Sequence, residues 1–307
     1  QLPALGITGV HDMGTTPDDW QLFRAFADDG RLSVRITAYA DGMAAMERIS
    51  PLRPIPSLYD DRLRLAGIRL IADGDLEGRG AWLLQPYADA PVTNGVRHLD
   101  DAREKNLFSR ANFLGYQLAV EASGDAAVRQ ALDSFSDIRP GYGDAFRNRI
   151  EGVDVVDPAD VPRFASLHIL ASLQPAGIDP AIRAVRLGEE RQATTSPWTE
   201  LLRAKLRTGG RSALGSGAPD HSSAPFAAVA AIHAAASTLS RAEALAGFTI
   251  GAAYAGHAED RVGSLAAGYW ADFLLLDRDP FRVPAGELPA VRVLETWLAG
   301  QRIYQQQ

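Results

Sequence analysis

Short, almost continuously apolar runs rich in β-branched residues recur along this chain, with amphipathic stretches between them. Such runs suit strands buried on both faces, which means parallel strands covered by helices. Residues 7–11, 32–39, 67–72, 117–121, 149–156, 168–174 and 212–216 read as strands of this kind. Helix signals lie between them. Pro17, Asp18 and Asp19 open residues 20–28, with acids where a helix N-terminus favours them. Gly124 and Asp125 open residues 126–135, and Asp157 and Pro158 open 159–167 with proline in the first turn. Seven strand–helix alternations predict an α/β fold, either a barrel or an open sheet. The tail differs: residues 272–277, 292–298 and 302–304 read as short strands punctuated by turns, a small all-β element. Residues 176–200 read as a long surface loop with a helical piece.

Composition removes several function classes. There is no cysteine, which excludes disulfides, thiolate metal sites and cysteine nucleophiles. A net charge of −7 argues against nucleic acid and anionic membranes as partners. No run approaches the roughly 18 apolar residues of a membrane span. The first residues carry no basic segment followed by an apolar one, so no signal peptide is expected and a soluble, cytoplasmic chain is the expectation.

In parallel α/β folds chemistry gathers at the carboxyl ends of strands. The residues there are His11 and Asp12, Asp73 to Asp75, Glu121 to Asp125, Glu151 to Asp154, Gln174 and Gly215 to Pro219. Of the six histidines only His11 lies at such an end. His168 begins a strand, His98 and His257 read as solvated, His233 as a packing residue and His221 as part of an exposed loop. No His-x-His pair, G-x-S-x-G elbow, Walker A sequence or dinucleotide fingerprint is present. Asp12, Asp73, Glu121 and Glu151 could converge at one barrel mouth for acid–base work. The blander reading has them cap helices or pair with arginines such as Arg69 and Arg79.

Several of these segments carry a resemblance: residues 6–14 (GITGVHDMG), 67–74 (GIRLIADG), 117–125 (QLAVEASGD), 149–156 (RIEGVDVV), 172–175 (SLQP) and 213–219 (ALGSGAP). The tail adds 248–254 (FTIGAAY), 259–265 (EDRVGSL) and 268–280 (GYWADFLLLDRDP). Together they resemble amidohydrolase family 3 of the amidohydrolase superfamily, which includes N-substituted formamide deformylases and D-aminoacylase-like enzymes. The resemblance implies a TIM-like (β/α) barrel of the metal-dependent hydrolase type over residues 1–255, lacking its first strand. Residues 256–307 would form the C-terminal part of a β-sandwich. It also implies a divalent metal (Zn, Mn or Fe) that activates water to hydrolyse non-peptide C–N bonds.

At the ligand positions the chain departs from the family. The His-x-His of the first strand would lie before Gln1, and the usual lysine is Arg69. Two histidines are replaced by Glu121 and Gly152, and the proton-transferring aspartate by Gly217. A guanidinium stays protonated and repels a metal, and glycine offers no ligand atom. Three readings follow. One is a hydrolase of amide, formamide or N-acyl bonds. Another is a non-catalytic homologue that binds an amide-type small molecule, as a homo-oligomer or with a partner chain supplying strands. The third is a rebuilt site with His11, Asp73 and Glu121 as metal ligands, for Mn²⁺ or Mg²⁺. By resemblance the pocket residues are His11, Asp73, Gly74, Asp125 and Gln174. The alternatives for two of them are a helix N-cap at Asp125 and a positive-φ turn at Gly74.

Overall fold

The computed structural model describes residues 1–174, 178–194, 201, 213–214 and 240–306. Its main body is a curled sheet of eight strands: β1 (Gly9–Thr15), β2 (Arg35–Asp41), β3 (Ile55–Leu58), β4 (Leu63–Ile71), β5 (Gln117–Ala122), β6 (Arg149–Gly152), β7 (Leu170–Leu173) and β8 (Ala213–Leu214). Seven run parallel in the order β1-β2-β4-β5-β6-β7-β8, and β3 forms an antiparallel hairpin with β4. β3 was not among the expected strands, and β4 starts at Leu63, ahead of the expected 67–72. Helices α1 (Pro17–Asp28), α2 (Gly42–Ile49), α3 (Asp101–Phe113), α4 (Asp125–Tyr142), α5 (Val161–Ser166) and α6 (Pro180–Thr194) follow successive strands. This is the repeating unit of a TIM-like half-barrel. The expected strand over 212–216 is described only at Ala213 and Leu214.

Laterally paired residues of a parallel sheet share a face. One face carries Ile36, Ala38, Ile68, Leu70, Leu118, Val120 and Ile150, which pack with Phe108, Leu132 and Phe135 of the helices into the main core. The opposite, concave face carries Tyr39, Arg69, Gln117, Glu121, Arg149, Glu151 and Ser172, as the register requires. A polar lumen is unusual for a barrel and has to be fully hydrogen-bonded to be stable.

Gly67 makes room for the largest lumen residue. A Cβ there would lie 2.5 Å from the Gln117 carbonyl and 2.6 Å from the Tyr39 ring. Gly67→Ala is therefore expected to cost about 2–3 kcal/mol in a thermal or urea unfolding experiment. A change within about 0.5 kcal/mol would mean that the ring swings aside freely.

Strands β9 (Phe273–Leu276), β10 (Val293–Leu298) and β11 (Gln301–Gln305) form a separate antiparallel sheet in the order β11-β10-β9. The Arg35 guanidinium ties it to the half-barrel, donating to both carboxylate oxygens of Asp272 at 2.6 and 2.9 Å. The N-terminal residues join it as well: Thr296 Oγ1 donates to the Pro3 carbonyl at 2.6 Å.

Candidate functional site

The lumen holds two arginine–carboxylate pairs. Arg149, on β6, is the deeper one. Its Nε donates to Glu151, and one terminal nitrogen donates to Ser172 Oγ at 2.8 Å and to the second Glu151 oxygen at 3.3 Å. The other donates to His11 Nδ1 at 2.8 Å and to the Tyr39 hydroxyl at 3.3 Å. All five guanidinium N–H groups are thus engaged. Tyr39 in turn donates to Gln117 Oε1 at 2.6 Å, and Gln117 Nε2 donates to the carbonyls of Arg147 and Ala255. Arginine has no acceptor, so His11 Nδ1 must accept and the imidazole is neutral, with its proton on Nε2. Burial, then the Arg149 and Arg64 charges, hold its pKa well below the usual value.

The shallower pair sits nearer the carboxyl ends. Arg69 Nε donates to Glu121 Oε2 at 2.8 Å, a terminal nitrogen bonds the same oxygen, and the other terminal nitrogen lies 3.7 Å from Asp41. Beside it the Asp12 carboxylate accepts from the Thr15 hydroxyl, and burial raises its pKa against that hydrogen bond.

Asp73 faces elsewhere. Almost fully buried, it accepts backbone N–H groups from Trp82 at 2.8 Å, Ser123 at 2.9 Å and Gly124 at 2.8 Å. Burial pushes it up to about 7 while the three amides pull it down. It clamps the long connection of residues 72–100 to the β5–α4 turn. Asp125 repeats the device: its carboxylate accepts from the Leu84 amide at 2.9 Å, and burial raises it too.

The expected site residues therefore do not act as one group. His11 lies in the third position of a strand that continues to Thr15, not at a strand end. Asp125 is the first residue of α4, and the N-cap is Gly124. Gly74 does not have positive φ; its small size is needed because a Cβ would lie 3.0 Å from the Gly80 Cα. Gln174 directly follows β7 and is half-buried. Arg69 pairs with Glu121 as the blander reading had it, whereas Arg79 pairs with Asp89 at 2.7 Å. His98, His168 and His257 are exposed, and His168 precedes β7 in a left-handed conformation (φ 56°) beside Asp144. Gly217, His221 and His233 lie outside the described residues. Arg149, Tyr39 and Ser172 were missed. The available signal was Arg149 and Glu151 two apart in an apolar strand, which places both charges on one face.

The amidohydrolase family matches residues 1–304. The chain belongs to that family. It is 29% identical over 276 residues to the putative amidohydrolase YtcJ of Bacillus subtilis (strain 168), covering 85% of this chain and 50% of that protein. It is 25% identical over 320 residues to the N-substituted formamide deformylase of Arthrobacter pascens, covering 98% of this chain and 58% of the other. A crystal structure of an uncharacterized metal-dependent hydrolase from Pyrococcus horikoshii superposes with a TM-score of 0.78 at 26% identity, over 92% of this chain and 58% of that one. The chain thus spans about half the length of the curated relatives it matches.

Family and fold imply a divalent metal. The described donors do not fit one. Among the described residues no three of His, Cys, Asp or Glu are grouped to hold an ion. Glu121 is committed to the Arg69 cation, His11 to Arg149 and Asp73 to three amides. Gly152, at the end of β6, has no donor side chain. Among the described residues no helix is long and apolar enough to cross a membrane.

Proposed function

We propose that this amidohydrolase-fold chain is a binding homologue, which holds an amide-type small molecule at the half-barrel mouth without metal-dependent hydrolysis. The observation that carries the reading is the Arg69–Glu121 pair. A permanent cation occupies the lumen where the resemblance places metal ligands, and it is neutralised by the carboxylate that replaces one of them. The ligand class follows from the relatives: an N-substituted formamide or another N-acyl compound, the bond type named in the Arthrobacter deformylase. β1 pairs only with β2 among the described residues, so its free edge favours a further strand from elsewhere in the whole protein, a second copy or a partner chain.

A second reading is favoured by the intact clamp at Asp73, which fixes the mouth as an enzyme would need. On that reading the whole protein is a hydrolase of non-peptide C–N bonds. Metal analysis of the whole protein, purified without chelator, separates the two. The expected result is far less than one equivalent of Zn, Mn or Fe, with no turnover of a formanilide panel and with thermal stabilisation by the same compounds. Stoichiometric metal with turnover would overturn the binding reading. Glu121→Ala would then report whether Glu121 is a ligand.

A further inference from the structure

Glu104 is fully buried on α3, with Oε2 accepting from the Ser134 hydroxyl of α4 at 2.6 Å. Its Oε1 has no hydrogen-bond partner. One turn earlier on α4, Gln130 donates Nε2 to the Leu99 carbonyl at 2.9 Å, and its Oε1 is likewise without a partner. Two buried acceptors without a protein partner thus lie on the packed helices α3 and α4. Buried acceptors of this kind are rare in folded proteins. Reversing the Gln130 amide would set its oxygen against the Leu99 carbonyl, so it only moves the conflict. A single proton removes it, because a carboxylic acid donates where a carboxylate cannot.

We propose that Glu104 is a neutral carboxylic acid in mild acid, donating its O–H to Gln130 Oε1, and that its ionisation on passing through neutral pH is a pH switch in the α3–α4 seam. The seam holds the far end of the 72–100 connection, since Leu99 is the residue bound by Gln130. The near end is held by Asp73. Opening the seam therefore loosens the segment that borders the mouth.

The charged groups facing Glu104 come from each neighbouring element. Arg97, on the connection, donates to the Leu99 carbonyl and pairs with Asp101 of α3; Asp133 lies on α4. Burial dominates and pushes Glu104 up to about 7. The Ser134 hydrogen bond and Arg97 oppose it, and the two aspartates add to it. A raised carboxyl contributes stability in full below its ordinary range and loses it as pH rises through about 7. Asp73 is raised to about 7 as well and acts with the same sign, so the effect of Glu104 has to be isolated by difference.

Unfolding of the whole protein should be followed from pH 5.5 to 8.5 beside Glu104→Gln, whose NH₂ donates at every pH. The wild type should lose a factor on the order of thirty more in its folding constant than the variant over that range. Hydrogen exchange in residues 101–113 and 125–142, corrected for intrinsic rates, should rise with pH in the wild type alone. Infrared spectroscopy needs no variant: in protein labelled with ¹³C-glutamate, the isotope-shifted carboxylic-acid stretch should be present at pH 6 and lost by pH 8.5. Equal slopes in the two proteins would overturn the proposal, as would the absence of a protonated glutamate band at pH 6. Either result would mean an ionised Glu104 solvated by buried water.

Discussion

Asp73→Ala is expected to destabilise the protein by about 3–5 kcal/mol, because it strips the acceptor from three amides at once, two of them fully buried. Those amides belong to Trp82, Ser123 and Gly124, at 2.8, 2.9 and 2.8 Å. They sit on two segments that otherwise meet through the Asp125 carboxylate on the Leu84 amide and backbone contacts such as Ala126 N–H to the Trp82 carbonyl. Each N–H left unpaired in the interior costs roughly 1–3 kcal/mol, so even partial rescue by water leaves a large deficit. The damage should be local. Limited proteolysis should find new cleavage within residues 74–100, while the strands beneath stay protected. Urea unfolding gives the number, and a loss below about 1 kcal/mol would show that the connection holds itself without Asp73.

The parallel strands were legible in the sequence because their helix-facing residues are apolar in strand after strand and pack into the main core. Polar lumen residues such as Gln117 and Arg149 interrupt the runs at alternate positions, and the ends drift. β1 runs on to Thr15 because Asp12 and Thr15, polar residues that read as a loop, bond to each other within the strand. The β3–β4 hairpin left no such trace. Tyr59, Asp60 and Asp61 turn it with three consecutive left-handed residues (φ 54°, 55° and 62°) and no glycine. What holds them is tertiary: Tyr59 bonds Asp28, Arg35 bonds the Asp60 carbonyl, and Trp270 bonds Asp61. Those partners are 31, 25 and 209 residues away, beyond the reach of any local pattern.

The candidate site was legible as a set of positions and not as a set of contacts. Strand parity places Arg69, Glu121, Arg149 and Glu151 on one face. It cannot say that each carboxylate takes the arginine rather than a metal or a water. For Glu121 the choice is made by Arg69 on the neighbouring strand, and for Glu151 by Arg149 on its own strand. Asp73 misled for a related reason: a carboxylate at a strand end serves equally well to bind an ion or to bind amides, and only the fold of residues 72–100 decides between them.

Arg149→Met should be as damaging as the loss of Asp73, by about 3–5 kcal/mol, because it leaves Glu151 buried without its cation. The arginine is 3% exposed in its side chain and its partner 9%, so water cannot make up the difference. His11 Nδ1, the Tyr39 hydroxyl and Ser172 Oγ lose their donor in the same step. The double variant Arg149→Met with Glu151→Leu separates charge from shape. Replacing both partners of a buried ion pair by apolar groups of similar volume is often close to neutral, so the double variant should recover most of the loss. Arg149→Lys should not, since an ammonium has three donors where the lumen presents five acceptor contacts. The histidine gives a second readout. Without the guanidinium beside it, His11 is freed of a positive neighbour, and its pKa should rise toward the ordinary value in a proton NMR titration. If the double variant stays as unstable as the single one, the arginine matters for its shape and its hydrogen bonds. Recovery would mean that the cation serves chiefly to balance Glu151.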